Sequence, residues 1–351
     1  MVANAAFSAK VLAMGRPLRF CMITTFYPPY NFGGDGIYVQ RLSNELARRG
    51  HLVDVIHCID TYRLAAPMPS KGYSDHPNVT VHGLKSPFGM LSPLVTQQTG
   101  FPLLQSRRIR AILRKGFDVI HYHNISSVGG PGILAYGEAI KLYTMHEYWL
   151  VCPTHALFRF NRTPCVRPSL CFACSLVYKR PPQWWRYLGI MEKAARNVDA
   201  FIAPSLTSQR KHEQLGLKGR IVHIPNFVSL GSDGGAAQPV SDGRRAEPPF
   251  FLFVGRLEKL KGLHALIPVF TRYPKAQLWI AGTGSEEPSL RQSTQGNPNI
   301  RLLGQQSGQD LRTLYRDAVA VIYPSLNFQV GLPQASVSSG HGAPPLCANV
   351  T

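Results

Sequence analysis

Four cysteines crowd one loop-like stretch of the 351-residue chain: Cys152, Cys165, Cys171 and Cys174 in CPTHALFRFNRTPCVRPSLCFAC. The CxxC at its end has the spacing that lets two thiolates grip one metal ion, and four thiolates make a closed tetrahedral set. A structural Zn²⁺ is the leading candidate for the segment, and an iron–sulfur cluster, disulfides and free thiols are the alternatives. His155 lies close enough to replace one cysteine. A second stretch, FVGRLEKLKG, sets Arg256 and Lys261 after a strand and beside an incoming helix, where two cations could hold a diphosphate without a metal. The chain has no Asp-x-Asp pair to offer Mg²⁺ two carboxylates. A third, the glycine-rich turn Gly33–Gly36, opens a helix whose free N–H groups and dipole favour an anion. No GxGxxG or GxxxxGK[ST] accompanies it to indicate a dinucleotide or P-loop nucleotide. His121 and His123 in IHYHN point to one face of a strand, read as strand-end histidines lining a cleft. HEYWL at His146 lacks the second histidine of HExxH, which excludes that metalloprotease pattern.

The elements that must position these residues alternate. LRFCMITTF, LVDVIHCI, VTVHGL, FDVIHYHN, AIKLYTMH and DAFIAPS read as strands. Helical stretches such as IYVQRLSNELARRG, with Val39, Leu42 and Leu46 at helical spacing, fall between them, and WWRYLGIMEKAARNV reads as another. The alternation predicts a doubly wound parallel sheet. Residues 231–249, GSDGGAAQPVSDGRRAEPP, have no apolar periodicity and read as a linker. After it the pattern restarts with FFLFVG, QLWIAG, NIRLLG and AVAVIYPS, which predicts a second parallel sheet. The expected organisation is an unstructured tail at 1–16, an N-terminal Rossmann-like domain at 17–230 with the cysteine-rich insertion 152–174, and an incomplete C-terminal Rossmann-like domain at 250–351. Ligands in such a pair are expected in the cleft between the domains, at the carboxyl ends of the strands.

Composition sets the broad class. With 44% hydrophobic residues the chain can bury substantial cores, and no apolar run approaches membrane-spanning length. A cytoplasmic protein is expected. The net charge of +19 is uneven, with +16 carried by residues 1–225, so a basic surface facing an anionic partner is expected of the first half.

Taken in order, the early GG loop, VGRLxxxKG after the linker, IAGTG at Ile280–Gly284, LLG, DLRTLYRDA and YPS resemble the glycosyltransferases of family 4, which have the two-domain GT-B fold. The resemblance runs from about Leu18 to Asn349. It implies transfer of a sugar from a nucleotide-diphosphate donor to a glycan or lipid-linked acceptor, with retention at the anomeric carbon and no metal or other cofactor for catalysis. On that resemblance Arg256 and Lys261 bind the donor diphosphate and stabilise its growing charge, and Gly33 and Gly34 bring backbone N–H groups close to it. His146 faces the reacting sugar, Gly304 and Gln305 reach the nucleobase, and Pro324 and Ser325 lie beside the donor. The family then has Glu, seven residues, Glu, for the sugar hydroxyls and the ribose; here those positions are Gln329 and Val337, and no charged residue occurs from Ala318 to Thr351. The tail is therefore expected to be a C-terminally truncated or frame-altered copy, with genuine divergence to an inactive, binding-only descendant as the alternative.

The segment around the cysteines is also basic and aromatic, with Arg159, Arg162, Arg167, Lys179, Arg180, Trp184, Trp185 and Arg186. An anionic membrane surface on the inner face of the cell is the expected partner of this face. Nucleic acid is not expected, because no helix-turn-helix, RNP or C₂H₂ spacing appears.

Overall fold

The apolar runs assemble into two parallel sheets, and the amphipathic stretches between them cover both faces. The computed structural model describes residues 16–64, 69, 73–227, 249–306, 308–326, 328 and 345–347. The strands in chain order are β1 (Arg19–Ile23), β2 (Leu52–Cys58), β3 (Val79–Leu84), β4 (Val119–Tyr122) and β5 (Ile140–Thr144). A short antiparallel hairpin follows, β6 (Phe158–Arg159) and β7 (Thr163–Pro164), then β8 (Ala200–Ala203) and β9 (Ile221–His223). Leaving out the hairpin, these form a seven-stranded sheet in the order β3-β2-β1-β4-β5-β8-β9. The second sheet takes β10 (Phe250–Val254), β11 (Gln277–Ala281), β12 (Ile300–Gly304), β13 (Ala320–Tyr323) and β14 (Pro345–Cys347) in the order β12-β11-β10-β13-β14. The second sheet is parallel throughout, and so are β3-β2-β1-β4-β5-β8 of the first.

The helices are α1 (Gly34–Arg48), α2 (Ile59–Arg63), α3 (Leu91–Thr99), α4 (Ser106–Leu113), α5 (Cys171–Val177), α6 (Ile190–Ala195), α7 (Leu206–Gln214), α8 (Leu263–Arg272), α9 (Glu287–Thr294) and α10 (Gly308–Asp317). On α1 the expected apolar face is realised: Val39 is fully buried, and Leu42 and Leu46 pack beside it against Met22, Val53 and Val55 of β1 and β2. A fully buried side chain of this kind contributes about 2 kcal/mol. Strand β10 shows the period of two directly. Phe253 faces a core with α8 and α9 residues Ile267, Phe270 and Leu290, whereas Phe250 and Leu252 face Tyr315 of α10 on the other side. A strand buried on both faces must read as a continuous apolar run, and FFLFV does.

Three local expectations change. Arg16, assigned by sequence to the tail, pairs with Asp118 at 2.6 Å. The stretch WWRYLGIMEKAARNV is not one helix: Gly189 adopts φ +67° and divides a 3₁₀ turn at Trp184–Leu188 from α6. Trp185, placed by sequence on a lipid-facing surface, is buried and donates its indole N–H to the Gln97 carbonyl at 2.8 Å. An indole can bury its apolar body once its single donor is satisfied.

The chain divides into two compact units. One takes the chain to Met145 together with Gln183–Ile202 and Lys218–Val222; the other takes His146–Pro182, Ala203–Leu217 and the chain from His223.

Candidate active site

In an open parallel sheet the strand order reverses at one point, and the two chains leaving that point diverge to opposite faces and open a crevice at the carboxyl edge. In the five-stranded sheet the reversal lies between β10 and β13. Gly255 and Arg256 follow β10 directly, and Pro324 and Ser325 follow β13. The two adjacent strand ends therefore deliver Arg256 and Ser325 to one crevice edge, Lys261 comes in on the 3₁₀ turn Lys259–Lys261, and Gly304 and Gln305 arrive at the end of β12.

These loops are stitched to one another by backbone hydrogen bonds. Gly255 N–H donates to the Ala281 carbonyl at 3.0 Å, Leu257 N–H to Thr283 at 2.9 Å, Gly282 N–H to Gly304 at 2.7 Å, and Leu326 N–H to Leu260 at 2.9 Å. The contacts are close enough to demand glycine. A Cβ on Gly282 (φ +139°) would overlap the Gly255 carbonyl oxygen, one on Gly262 (φ +70°) that of Pro324, and one on Gly284 that of Leu257. Gly262, Gly282 and Gly284 are the functional positions that sequence reasoning missed as site residues, although the GTG following QLWIA was a visible signal for close backbone approach. Arg256 is well exposed, and its Nη1 meets Glu258 Oε1 at 2.9 Å. The guanidinium is thus left accessible to solvent on the loop that follows β10.

In the seven-stranded sheet the order reverses between β1 and β4. Beyond β1 the chain runs through Thr24 and Thr25 into the turn that opens α1. Gly33 caps that helix at φ +77°, no side chain caps its N-terminus, and a Cβ on Gly33 or Gly34 would meet nothing within 4 Å. The two glycines are exposed and put no side chain over the helix N-terminus. The turn is held from behind by aromatic contacts, Phe32 stacking on Tyr62 at 4.5 Å and Tyr30 on His57 at 5.8 Å. Beyond β4, His121 and His123 are buried with ring centroids 4.2 Å apart, and His121 Nε2 is hydrogen-bonded to Thr144 Oγ1 at 2.8 Å. They are strand-end histidines, as read from sequence.

His146 follows β5 by two residues. Burial pushes its imidazole down to about 4, and the opposing pull of the Glu147 carboxylate does not restore it. It is neutral at pH 7, with one nitrogen able to donate and the other to accept a hydrogen bond. Burial also acts to raise the Glu147 carboxyl, but the His155 imidazole, with Nδ1 2.7 Å away, outweighs it with help from Arg180 and His146, and holds it below the usual carboxylate range.

The four cysteines of the insertion line one pocket, together with Leu157 and Arg159. None is in a disulfide. Cys171 and Cys174 share one turn of α5, Cys165 follows the hairpin with its N–H on the Leu157 carbonyl at 2.7 Å, and Cys152 hangs from Tyr148. The Cys165 thiol is pushed up to about 11, first by burial and then by the charge that Cys152, Cys171 and Cys174 would carry nearby. His155 is engaged by Glu147 and does not line the pocket. Among the described residues no three His, Cys, Asp or Glu side chains stand already converged on a metal-holding point. All six non-glycine residues of positive φ among those described lie in this one segment: His155, Leu157, Phe160, Asn161, Leu170 and Lys179. Each costs about 1–2 kcal/mol. Gln329 and Val337 lie outside the described residues, so the site is described without them.

A model of the family described as Glycosyltransferase Family 4 matches residues 32–231, and one described as Glycosyl transferases group 1 matches residues 237–334. The lipopolysaccharide core biosynthesis glycosyltransferase LpsE of Rhizobium meliloti is 30% identical over 95 residues, which are 27% of this chain and 28% of that protein. The O-antigen chain mannosyltransferase C of Escherichia coli is 24% identical over 312 residues, spanning 88% of this chain and 73% of that protein. Among solved structures, sucrose-phosphate synthase from Thermosynechococcus elongatus superposes with a TM-score of 0.67 at 19% identity, covering 95% of this chain and 82% of that one. Anabaena HepE in complex with UDP and glucose gives 0.57 at 16% identity, covering 95% and 81%.

Proposed function

Because this chain belongs to Glycosyltransferase Family 4 and has the GT-B fold, we propose that it transfers a sugar from a nucleotide-diphosphate donor to a glycan or lipid-linked acceptor, with retention at the anomeric carbon and without a catalytic metal. The observation that carries this reading is the switch point of the five-stranded sheet, where Arg256 and Ser325 leave adjacent strand ends with Lys261 close behind in sequence. Two cations there would neutralise a diphosphate and stabilise the charge that grows on it as the bond to the sugar breaks. Preorganised charge of this kind is usually the largest catalytic term. The UDP and glucose held by Anabaena HepE belong to the same donor class. Neutral His146 would hydrogen-bond the sugar, Gly33 and Gly34 would present N–H groups to the donor, and Gly304 and Gln305 would border the base. The relatives named for O-antigen and lipopolysaccharide core assembly support a role in building a surface polysaccharide or glycolipid.

Titration calorimetry with nucleoside diphosphates tests the donor assignment. Micromolar to millimolar binding that weakens with salt and is lost in Arg256→Ala supports it; a folded chain that binds no nucleoside diphosphate refutes it. Binding without sugar transfer would favour the binding-only descendant that Gln329 and Val337 suggest, since neither residue carries a carboxylate.

An acceptor at a membrane is supported by one surface. Phe88, Met90, Leu91, Leu94 and Leu103 are exposed on and around α3, and the turn packed against α3 exposes Trp184, Tyr187 and Leu188. Arg107, Arg108 and Arg110 of the neighbouring α4 are exposed as well. Apolar and aromatic side chains in this company suit the interface of an anionic leaflet on the cytoplasmic side. Among the described residues no helix is long and apolar enough to cross a membrane.

A further inference from the structure

The transferase reading uses none of the insertion's thiols, yet the chain commits an unusual conformation to gathering them. Cys152, Cys165, Cys171 and Cys174 reach the same pocket from three separate pieces of backbone: a turn after Tyr148, the end of a two-residue hairpin and one turn of a short helix. We infer that these four cysteines form a structural zinc site that ties the insertion together.

Three observations converge on it. First, the left-handed non-glycine residues lie between and beside the cysteines, with Phe160 and Asn161 turning the hairpin and Leu170 capping α5. Such conformations persist only where the surroundings over-determine them. The segment's own apolar cluster is small, Tyr148, Leu157 and two of the cysteines with partly buried neighbours, so a cross-link through the thiols would add to the hydrogen bonds that hold it. Second, the Phe160 N–H donates to Cys174 Sγ at 3.3 Å. A backbone donor aimed at sulfur stabilises the thiolate that a metal requires. Third, among the described residues the only charged side chain lining the pocket is a cation. Arg159 has its Nε buried with no partner, and its guanidinium lies over the Phe160 ring. A guanidinium so placed suits the dianion that Zn²⁺ makes with four thiolates.

The side chains show what binding would exchange. Cys165 Sγ donates to the Arg167 carbonyl at 3.5 Å, and Cys152 Sγ shares a contact with Thr154 Oγ1 at 3.3 Å. Both are weak sulfhydryl hydrogen bonds. Zinc would replace them with Zn–S bonds, and the four thiols would release four protons to solvent as one Zn²⁺ enters.

The wild-type protein, purified without chelator, carries the test. Elemental analysis should find about one zinc per chain, and a mercurial thiol reagent should release it in proportion as about four thiols are modified. Refolding with Co²⁺ in place of zinc should give the intense sulfur-to-cobalt absorption of a tetrahedral thiolate site. Cys171→Ser and Cys174→Ser should each drop the metal content several-fold, while Cys58→Ser, a buried thiol of β2 that does not line the pocket, should retain it. Trace metal with freely reactive thiols, a mass two hydrogens lower per cysteine pair, or the visible absorption of an iron–sulfur cluster would each overturn the assignment. Because the readout is metal content, its failure leaves the transferase reading untouched.

Discussion

Gly262→Ala and Gly304→Ala form a matched pair that tests how the donor-side loops are held. Their backbone angles are nearly the same, φ +70° and φ +69°, but a Cβ at Gly304 meets nothing within 4 Å, whereas one at Gly262 overlaps the Pro324 carbonyl. Both alanines carry the left-handed strain of about 1 kcal/mol, partly offset by about 0.5 kcal/mol from a stiffer unfolded chain. Gly262→Ala adds the overlap. The Pro324 carbonyl cannot swing aside freely, because Leu326 N–H is bonded to Leu260 at 2.9 Å two residues before the glycine. Relief therefore costs that hydrogen bond, about 1 kcal/mol, or a shift of the packed loops, about 1–3 kcal/mol. The expected difference between the two variants is about 2 kcal/mol, measured as the separation of their urea midpoints at unchanged m. Gly262→Ala should also weaken nucleoside diphosphate binding about tenfold or more, since the displaced loops carry Lys261 and Ser325. Equal midpoints for the two variants would show that the β10 and β13 loops do not touch in solution, and the crevice argument would fall with them.

Other outcomes follow from the same geometry. Arg256→Ala should lower donor kcat/KM by roughly 10²–10³-fold with an almost unchanged Tm, because its side chain is exposed and pairs with Glu258 at the surface; steady-state kinetics alongside thermal melting checks both halves. Burial pushes His57, His146 and His212 each down to about 4, so the unfolded chain, titrating near 6.5, holds up to three more protons between those values. Stability should be full above pH 6.5 and fall on acidification by at most about 4 kcal/mol per pH unit, less for the partly exposed His146; urea midpoints that stay flat from pH 7 to 5 would contradict it. Leu91→Glu combined with Leu94→Glu should release the protein from anionic vesicles in co-sedimentation while leaving urea stability within about 1 kcal/mol, as expected for exposed positions; retention of vesicle binding would count against the α3 surface.

What could be read in advance was whatever depends on local order. FFLFV announces a strand buried on both faces because its apolar residues are continuous, and Val39, Leu42 and Leu46 announce the buried face of α1 because they recur at helical spacing. The paired VGR and KG segments placed two cations beside a strand end, and the CxxC put two thiols on one helical turn. Each of these signals lies within a dozen residues, the range over which side-chain period and backbone geometry are tied together. Trp185 shows the limit from the other side. Trp184 beside it is exposed, and the Gln97 carbonyl, far away along the chain, accepts the N–H that lets the indole go inside.

The rest was decided by tertiary structure. That Arg256 and Ser325 leave adjacent strands follows from β13 pairing with β10, a strand order that no periodicity encodes because it is set by how whole sheets and their covering helices pack. The glycines at 262, 282 and 284 look like ordinary turn residues until the carbonyls of Pro324, Gly255 and Leu257 are seen beside them. The same holds for the thiols: the sequence determined that four cysteines share a segment, but the left-handed turns of His155–Lys179 decided that all four would meet at one pocket. Local chemistry is written residue by residue, whereas proximity between distant residues is a property of the packed chain.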